Sequence, residues 1–358
     1  MAQKIHVMHP NRRAGLNLFA SPFNLYLVRS ALAEVVRQVG RRMEGSKGEV
    51  WEGMSPNGDH ICSANDLEGT VLIIRYVAEI FPQYGLKVDV GFLTEEISLI
   101  PYMANGRKIP FAVNGSVLLL VIDPIDGSKA FDNWKSGGDC SLPRPGSAIS
   151  IAAVSPALGE IVASALYCFD VGEVFSSVFL GKDKDRAPRY IAFRDDHLLR
   201  PFALNFQEEA KIEAKRRVLC SNYNSKALVE NARLELALME KGLKPAFGGL
   251  TGSTATDIIN VVRGSFCVCL DIRALCGKGG SVPYWYDAAG ALPIARGRGL
   301  AVIVTDSQGR LLQGGNHEIY TPIAFVVARP ELEDLVVEAI RTTVCPAFLG
   351  EKAIHAAV

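Results

Sequence analysis

The chain reads as an α/β protein whose N-terminal half is α+β and whose C-terminal half alternates helix and strand. Three observations lead there. Two long helical periodicities open the chain, one through Leu25, Val28, Leu32, Val35 and Val39 and one through Leu67, Val71, Ile74, Ala78 and Phe81. Apolar runs near 148–154, 161–168 and 173–179 follow, spaced by turn residues as in an antiparallel meander. Beyond residue 217 short apolar runs alternate with helical ones, the pattern of an α/β unit.

In order along the chain, Ser21-Pro22 reads as a helix cap followed by proline at the first helical position. "GMSPNGD" (53–59) reads as the loop between the two long helices. Leu118 to Ile122 form a strand that ends at Asp123. The most apolar window, 148–169, contains Pro156 and Glu160 in "VSPALGE", so it is two strands and a turn rather than a membrane span. Residues 181–217 are dense in charge and read as the crossover between two halves, 1–215 and 216–358. The second half then gives a strand near 217–220 and a helix from Ser225 through Val229, Ala232, Leu236, Met239 and Leu243. A helix at 253–263, a strand at 266–270, a helix near 287–297 kinked by Pro293, and strands near 300–305 and 322–328 complete it.

The 358 residues suffice for a large core, and 49% hydrophobic with 21% charged residues is ordinary globular usage. Lys+Arg 38 balance Asp+Glu 38, so no excess positive charge points to nucleic acid or an anionic membrane. A small molecule is the expected partner. The eight cysteines are scattered without a CxxC pair, and the start "MAQKIHVMHPNRR" has no apolar h-region, so no secretory signal is expected. Reduced thiols and a cytoplasmic location are expected.

Three acidic stretches carry the chemistry. "GFLTEE" places Glu95 and Glu96 after an apolar run, "VIDPIDGS" places Asp123 and Asp126 after another, and "YWYDAAG" places Asp287 at a helix start. Strand ends and helix starts are where open α/β sheets bind ligands. Converging carboxylates at about 4 Å would repel by roughly 4 kcal/mol per pair at an effective dielectric near 20. Hard divalent cations relieve such a cluster, and an all-oxygen set selects Mg²⁺ or Mn²⁺ over zinc. The six histidines show no metal spacing. Pro124 fixes the turn so that Asp123, Asp126 and the carbonyl of Ile125 can face one point, and Gly127 and Ser128 begin a helix that offers backbone N–H groups to a phosphate. Together these features describe metal-assisted phosphoester hydrolysis.

With these motifs in the order Glu95-Glu96, Asp123 to Ser128 and "WYDAAG", the chain resembles the inositol monophosphatase superfamily, which includes fructose-1,6-bisphosphatases. The family's "GEE" becomes Thr94-Glu95-Glu96, its "DPIDGT" ends in Ser128, and one residue separates Trp285 from Asp287 where the family's "WDxAAG" has none. "GSTATDIINVVRG" (252–264) is similar to the small-residue helix that precedes the last aspartate. The resemblance implies a layered α-β-α-β-α sugar-phosphatase fold and two or three Mg²⁺ ions held by Glu95, Asp123, Asp126, Asp287 and the Ile125 carbonyl. It implies that Gly127, Ser128 and Ser253 bind phosphate, that Glu95 and Ser128 prepare the attacking water, and that Asp66 of "SAND" partners Ser128, with Asn65 the competitor. Asp271 would hold a substrate hydroxyl, and Arg273 either a second anionic group or a surface salt bridge. "SPNGD" and "LDIR" are closer to the archaeal-type branch, which takes fructose 1,6-bisphosphate and inositol phosphates. Relatives are commonly dimers or tetramers, so the resemblance implies a homodimer or homotetramer.

The departures are residues 129–147 and 274–285, which look inserted, and "RGRG" (296–299) in place of "EAGG". Phosphoadenosine nucleotides and inositol polyphosphates are alternative substrates, and a non-catalytic binding relative is a further reading. An aspartyl-phosphate phosphatase wants DxD after its strand, and the single tight "DKD" (183–185) falls in the charged crossover. No GxxxxGK[ST] occurs.

Overall fold

The computed structural model describes residues 22–45, 52–54, 61–86, 88, 90–94, 118–136, 144–184, 187–202, 217–220, 227–246, 252–277, 282–314 and 321–350. In chain order its elements are α1 (Pro22–Gly45), β1 (Glu52–Met54), β2 (Ile61–Ser63), α2 (Ala64–Gln83), β3 (Val90–Thr94), β4 (Leu118–Asp126) and α3 (Ser128–Ser136). The long antiparallel strands β5 (Ala148–Ser155), β6 (Glu160–Cys168), β7 (Glu173–Lys182), β8 (Pro188–Arg194) and β9 (His197–Leu199) follow. Then come β10 (Arg217–Cys220), α4 (Leu228–Glu240), β11 (Lys244–Ala246), α5 (Thr254–Val262), β12 (Val268–Asp271), α6 (Trp285–Ala289), α7 (Leu292–Gly297), β13 (Ala301–Thr305), β14 (Ala324–Ala328) and α8 (Glu333–Thr343).

Strands β3 to β9 make a seven-stranded sheet in sequence order, antiparallel except for the parallel pair β3–β4. A five-stranded sheet runs β11-β10-β12-β14-β13, parallel through β12 and antiparallel beyond it. The alternation of β4 decides the layering. Leu118, Leu120 and Ile122 pack under α1 and α2, while Leu119 and Val121 face α5, α6 and α7. Those three helices also cover Cys269, Val304, Phe325 and Val327 of the second sheet, whose opposite face (Val218, Leu270, Val326) lies under α4 and α8. The result is five layers, α-β-α-β-α, with both faces of each sheet buried, which is why the strands read as unbroken apolar runs.

Several elements differ from the sequence reading. The strand expected to stop at Asp123 continues to Asp126, with a register irregularity between them that absorbs Pro124. Part of the expected loop at 53–59 is strand β1, paired antiparallel with β2. The charged stretch 181–217 contains β8 and β9. These lie towards the edge of the sheet, where charged side chains reach water and discourage further pairing. The single helix near 287–297 is two helices divided at Gly290–Ala291, and Pro293 sits harmlessly in the first turn of α7. Strand β11 and helix α8 were not anticipated.

Two helices bury a different stripe from the one expected. In α2 the buried face is Leu67, Thr70, Ile73, Val77, Ile80 and Phe81, leaving Val71 and Ala78 exposed. In α4 Asn231, Leu234 and Leu238 are buried, while Val229, Leu236 and Met239 are exposed. The five cysteines with described side chains, 168, 267, 269, 276 and 345, form no disulfide with one another. Among the described residues no helix is long and apolar enough to cross a membrane.

Two local devices fix how layers meet. A Cβ on Gly297 would lie 2.7 Å from the backbone nitrogen of Ala192, so "RGRG" allows α7 to approach β8 at backbone distance. Asp195 (φ 45°) and Asp196 (φ 66°) form the left-handed two-residue turn between β8 and β9. The Asp195 carboxylate accepts the Val174 N–H at 3.0 Å. Asp196 accepts from Arg29 at 2.7 Å and Arg37 at 3.1 Å, which ties the turn to α1. Burial alone would raise the Asp196 carboxyl, but the hydrogen bonds and charges of Arg29 and Arg37 outweigh it and hold it below the usual carboxylate range.

Gly297→Ala should cost roughly 1–3 kcal/mol in a urea titration, because backbone rather than a side-chain tip must move; an unchanged midpoint would contradict the packing. The lowered Asp196 pKa contributes stability above the unfolded carboxylate range, lost as pH falls through the folded pKa. Because the side chain is half exposed, Asp196→Asn should cost a few tenths to about 1 kcal/mol at neutral pH. The difference from the parent should vanish in acid, and a penalty that persists there would rule out the ion pairs as its cause.

Candidate active site

The end of β4 carries the first two carboxylates. Asp123 is 3% exposed and Asp126 8%, in a strand that is buried along its whole length. The irregular register at Asp123-Pro124-Ile125-Asp126 releases this segment from its neighbour β5 between two paired points, Asp123 with Ser150 and Asp126 with Ala148. The parallel neighbour β3 ends at Thr94, opposite Ile122 and one residue short of Asp123. Glu95 and Glu96 follow Thr94 in sequence and lie outside the described residues.

Asp126 joins the two halves of the chain. Its Oδ2 accepts the Ser253 hydroxyl at 2.8 Å and the Ala255 N–H at 2.5 Å. Ser253 is the N-cap of α5, accepting from Thr256 N–H at 3.1 Å. A buried carboxylate thus meets both the open N–H groups and the positive dipole end of that helix. Gly127 makes the approach possible, since its φ of 85° is left-handed and a Cβ there would stand 3.1 Å from both Ser147 Oγ and Ser253 Cβ. Ser147, which the sequence reading missed, donates to the Gly127 carbonyl at 2.9 Å. Nothing in its local sequence marks it, because the contact is made across the sheet. Immediately after Gly127, α3 begins at Ser128, so its first N–H groups lack intrahelical acceptors.

The last strand of the candidate site contributes a charge pair. Asp271, at the end of β12, receives Arg273 Nε at 2.9 Å and Nη2 at 2.6 Å through Oδ2, and the Arg273 backbone N–H at 3.0 Å through Oδ1. Both side chains are buried, at 9% and 5% exposure for Arg273 and Asp271, so the surface salt bridge considered for Arg273 is instead an internal one. The two residues expected to contact substrate separately are bound to each other. Burial opposes the charge on Arg273, yet Asp271 first, then Asp287 and Asp126, hold the guanidinium above its ordinary pKa. Arg273 is therefore electrostatically coupled to both candidate ligands. Asp287 lies at the third position of α6 and accepts the Tyr284 N–H at 2.7 Å, which closes the helix start.

The expected Ser128–Asp66 pair is not made. Ser128 donates to the Ile125 carbonyl at 2.8 Å, the oxygen expected to face a metal. Asp66 instead completes the capping box of α2, accepting Ser63 N–H at 2.9 Å while its own N–H donates to Ser63 Oγ at 3.2 Å. Asn65 donates to Asp132 of α3 at 2.6 Å.

The described donors that the sequence reading nominated, Asp123, Asp126, Asp287 and the Ile125 carbonyl, are oxygen only, which suits a hard divalent cation in kind. Among the described residues, however, no group of three or more His, Cys, Asp or Glu converges as a metal site. Local bonds explain part of this, since Asp126 is drawn to α5 and Asp287 to its own helix start.

No family model matches the chain, and no curated protein matches it by sequence. Solved structures do match. The extragenic suppressor protein SuhB of Bartonella henselae aligns over 88% of this chain and 98% of its own, at 17% identity and a TM-score of 0.59. An inositol monophosphatase–fructose 1,6-bisphosphatase aligns over 86% and 96% at 15% identity and a TM-score of 0.55. An IMPase/NADP phosphatase complexed with Mg²⁺ and phosphate aligns over 88% and 95% at 13% identity and a TM-score of 0.54.

Asp271→Ala would leave the Arg273 guanidinium buried without its partner and should cost about 3–5 kcal/mol in equilibrium unfolding. A variant as stable as the parent would show that the pair is not held inside the fold.

Proposed function

We propose that the chain is a Mg²⁺-dependent phosphomonoesterase acting on a small sugar or inositol phosphate, such as inositol 1-phosphate or fructose 1,6-bisphosphate. Its layered fold is that of the inositol monophosphatase-type structures, and the sequence motifs lie at a strand end and helix starts of that fold. The observation that carries this reading is the buried Asp123–Asp126 strand end, fastened to the α5 N-terminus and flanked by a parallel strand leading directly into Glu95.

In this reading Glu95, Asp123, Asp126, Asp287 and the Ile125 carbonyl hold two or three Mg²⁺ ions. Magnesium there would supply an acidified water and positive charge for the departing alkoxide. The N-terminus of α3, at Gly127 and Ser128, takes the phosphate oxygens through backbone N–H groups. Ser128 orients the incoming water once its hydroxyl leaves the Ile125 carbonyl, and Asp66 accepts from it after the same local rearrangement. Arg273, fixed by Asp271, offsets carboxylate charge and favours an anionic substrate.

The test is inorganic phosphate release from inositol 1-phosphate, fructose 1,6-bisphosphate, an inositol polyphosphate and a phosphoadenosine nucleotide, with Mg²⁺ and with chelator. Release from the first two, dependent on Mg²⁺ and lowered at least about 10²-fold by Asp126→Asn, is expected. Turnover that survives chelation, or an Asp126→Asn protein with full activity, would contradict the ligand assignment. Preference for the nucleotide or the polyphosphate would reassign the substrate while leaving the chemistry in place.

A further inference from the structure

At the far end of α5 from Asp126, two arginines share one aromatic ring. The Arg298 guanidinium lies 3.9 Å from the centroid of Phe202 and that of Arg329 lies 5.1 Å from it. Nine residues of helix separate this place from the Ser253 cap, a distance of about 13 Å along the axis. The backbone fixes all three residues: Phe202 N–H donates to Arg298 O at 3.1 Å, and Arg329 N–H to Cys267 O at 3.0 Å. Arg298 follows the last turn of α7, and Arg329 follows the last residue of β14.

One of the two cations is accounted for. Arg298 Nε donates to the Val262 carbonyl at 3.3 Å, and the carboxyl end of α5 offers it a partial negative charge. Arg329 has no such partner: its Nε is buried and without a hydrogen bond among the described residues. No carboxylate among those residues lies within ion-pair distance of either arginine, whereas Arg29, Arg37, Arg263 and Arg273 each have one. Burial first, and then the charge of Arg329, lower the pKa of Arg298, so the pair is held together against its own repulsion. The ring of Phe202 relieves part of that repulsion through its π face. An oxyanion would relieve the rest and satisfy the buried donor.

We propose that Arg298 and Arg329, assembled on Phe202, form a second anion site for phosphate or a phosphate monoester, separate from the candidate active site. Two forked guanidiniums that share one aromatic ring supply the donors that a tetrahedral oxyanion accepts from. The site's place between the end of α5 and the end of α7 gives a bound anion a rigid connection to the residues that hold Asp126.

Amide hydrogen exchange of the full chain in chelator, titrated with orthophosphate, tests this. Phosphate should slow exchange of the Phe202 and Arg329 amides saturably, in the parent and equally in Asp126→Asn. Arg329→Gln, which removes no described side-chain hydrogen bond, should weaken the apparent affinity by about tenfold, and Arg329→Lys by less. Adding phenyl phosphate separates the two ligands: competition for the same amides shows that the site takes monoesters as well as the free ion. The proposal is overturned if neither compound protects these amides, if chloride at matched ionic strength does so equally, or if Arg329→Gln binds as the parent does. It also fails if protection appears only in Glu208→Gln/Glu209→Gln, two carboxylates that follow Phe202 in sequence and lie outside the described residues, because the chain's own carboxylates would then be the occupant.

Discussion

Asp126 is the point at which the two halves of the molecule are fastened. A carboxylate buried at the end of a strand in the first sheet accepts a hydroxyl and a backbone N–H from the start of α5, residues 127 and 129 positions later in the chain. Helix α5 belongs to the middle layer and packs against both sheets, so this contact sets where the second sheet stands relative to the first. The helix N-terminus offsets part of the cost of burying a carboxylate at that depth. Gly127 follows from the same constraint, since its left-handed backbone turns the chain from β4 into α3 within touching distance of Ser253.

A charge balance is built around that fastening. Asp123 and Asp126 of β4, Asp271 of β12 and Asp287 of α6 are drawn from three elements, and Arg273 is coupled to Asp271, Asp287 and Asp126. Its bidentate partner Asp271 takes up much of that charge. The oxygen donors at this strand end are the physical reason for proposing a divalent cation here, and that reason stands without any likeness to other structures. The likeness itself, below 20% identity over nearly the whole length, establishes the fold.

Much of the fold was legible in the sequence because its periodicities are long and its strands are buried on both faces. The face of α1 was read correctly, with Leu25, Val28, Leu32, Val35 and Val39 all buried. The face of α4 was not, because that helix carries two apolar stripes; Leu234 and Leu238 won the core over Val229, Leu236 and Met239. Strands β8 and β9 hid in charge, which strands near a sheet edge tolerate. At the candidate site, the motif residues with described coordinates occupy the strand end and helix starts expected of them. What the sequence could not convey was hydrogen-bond choice: Ser128 with Ile125, Asp66 with Ser63, and Asp271 with Arg273. Each is a short-range option that competes with a long-range one, and tertiary geometry decides between them.

The central claim is that the buried acidic end of β4 is a cation site. Anomalous diffraction from crystals soaked in Mn²⁺ tests it most directly. A peak bounded by Asp123, Asp126 and Asp287 is the expected result. Well-ordered carboxylates with no peak between them, and Arg273 alone balancing their charge, would contradict it.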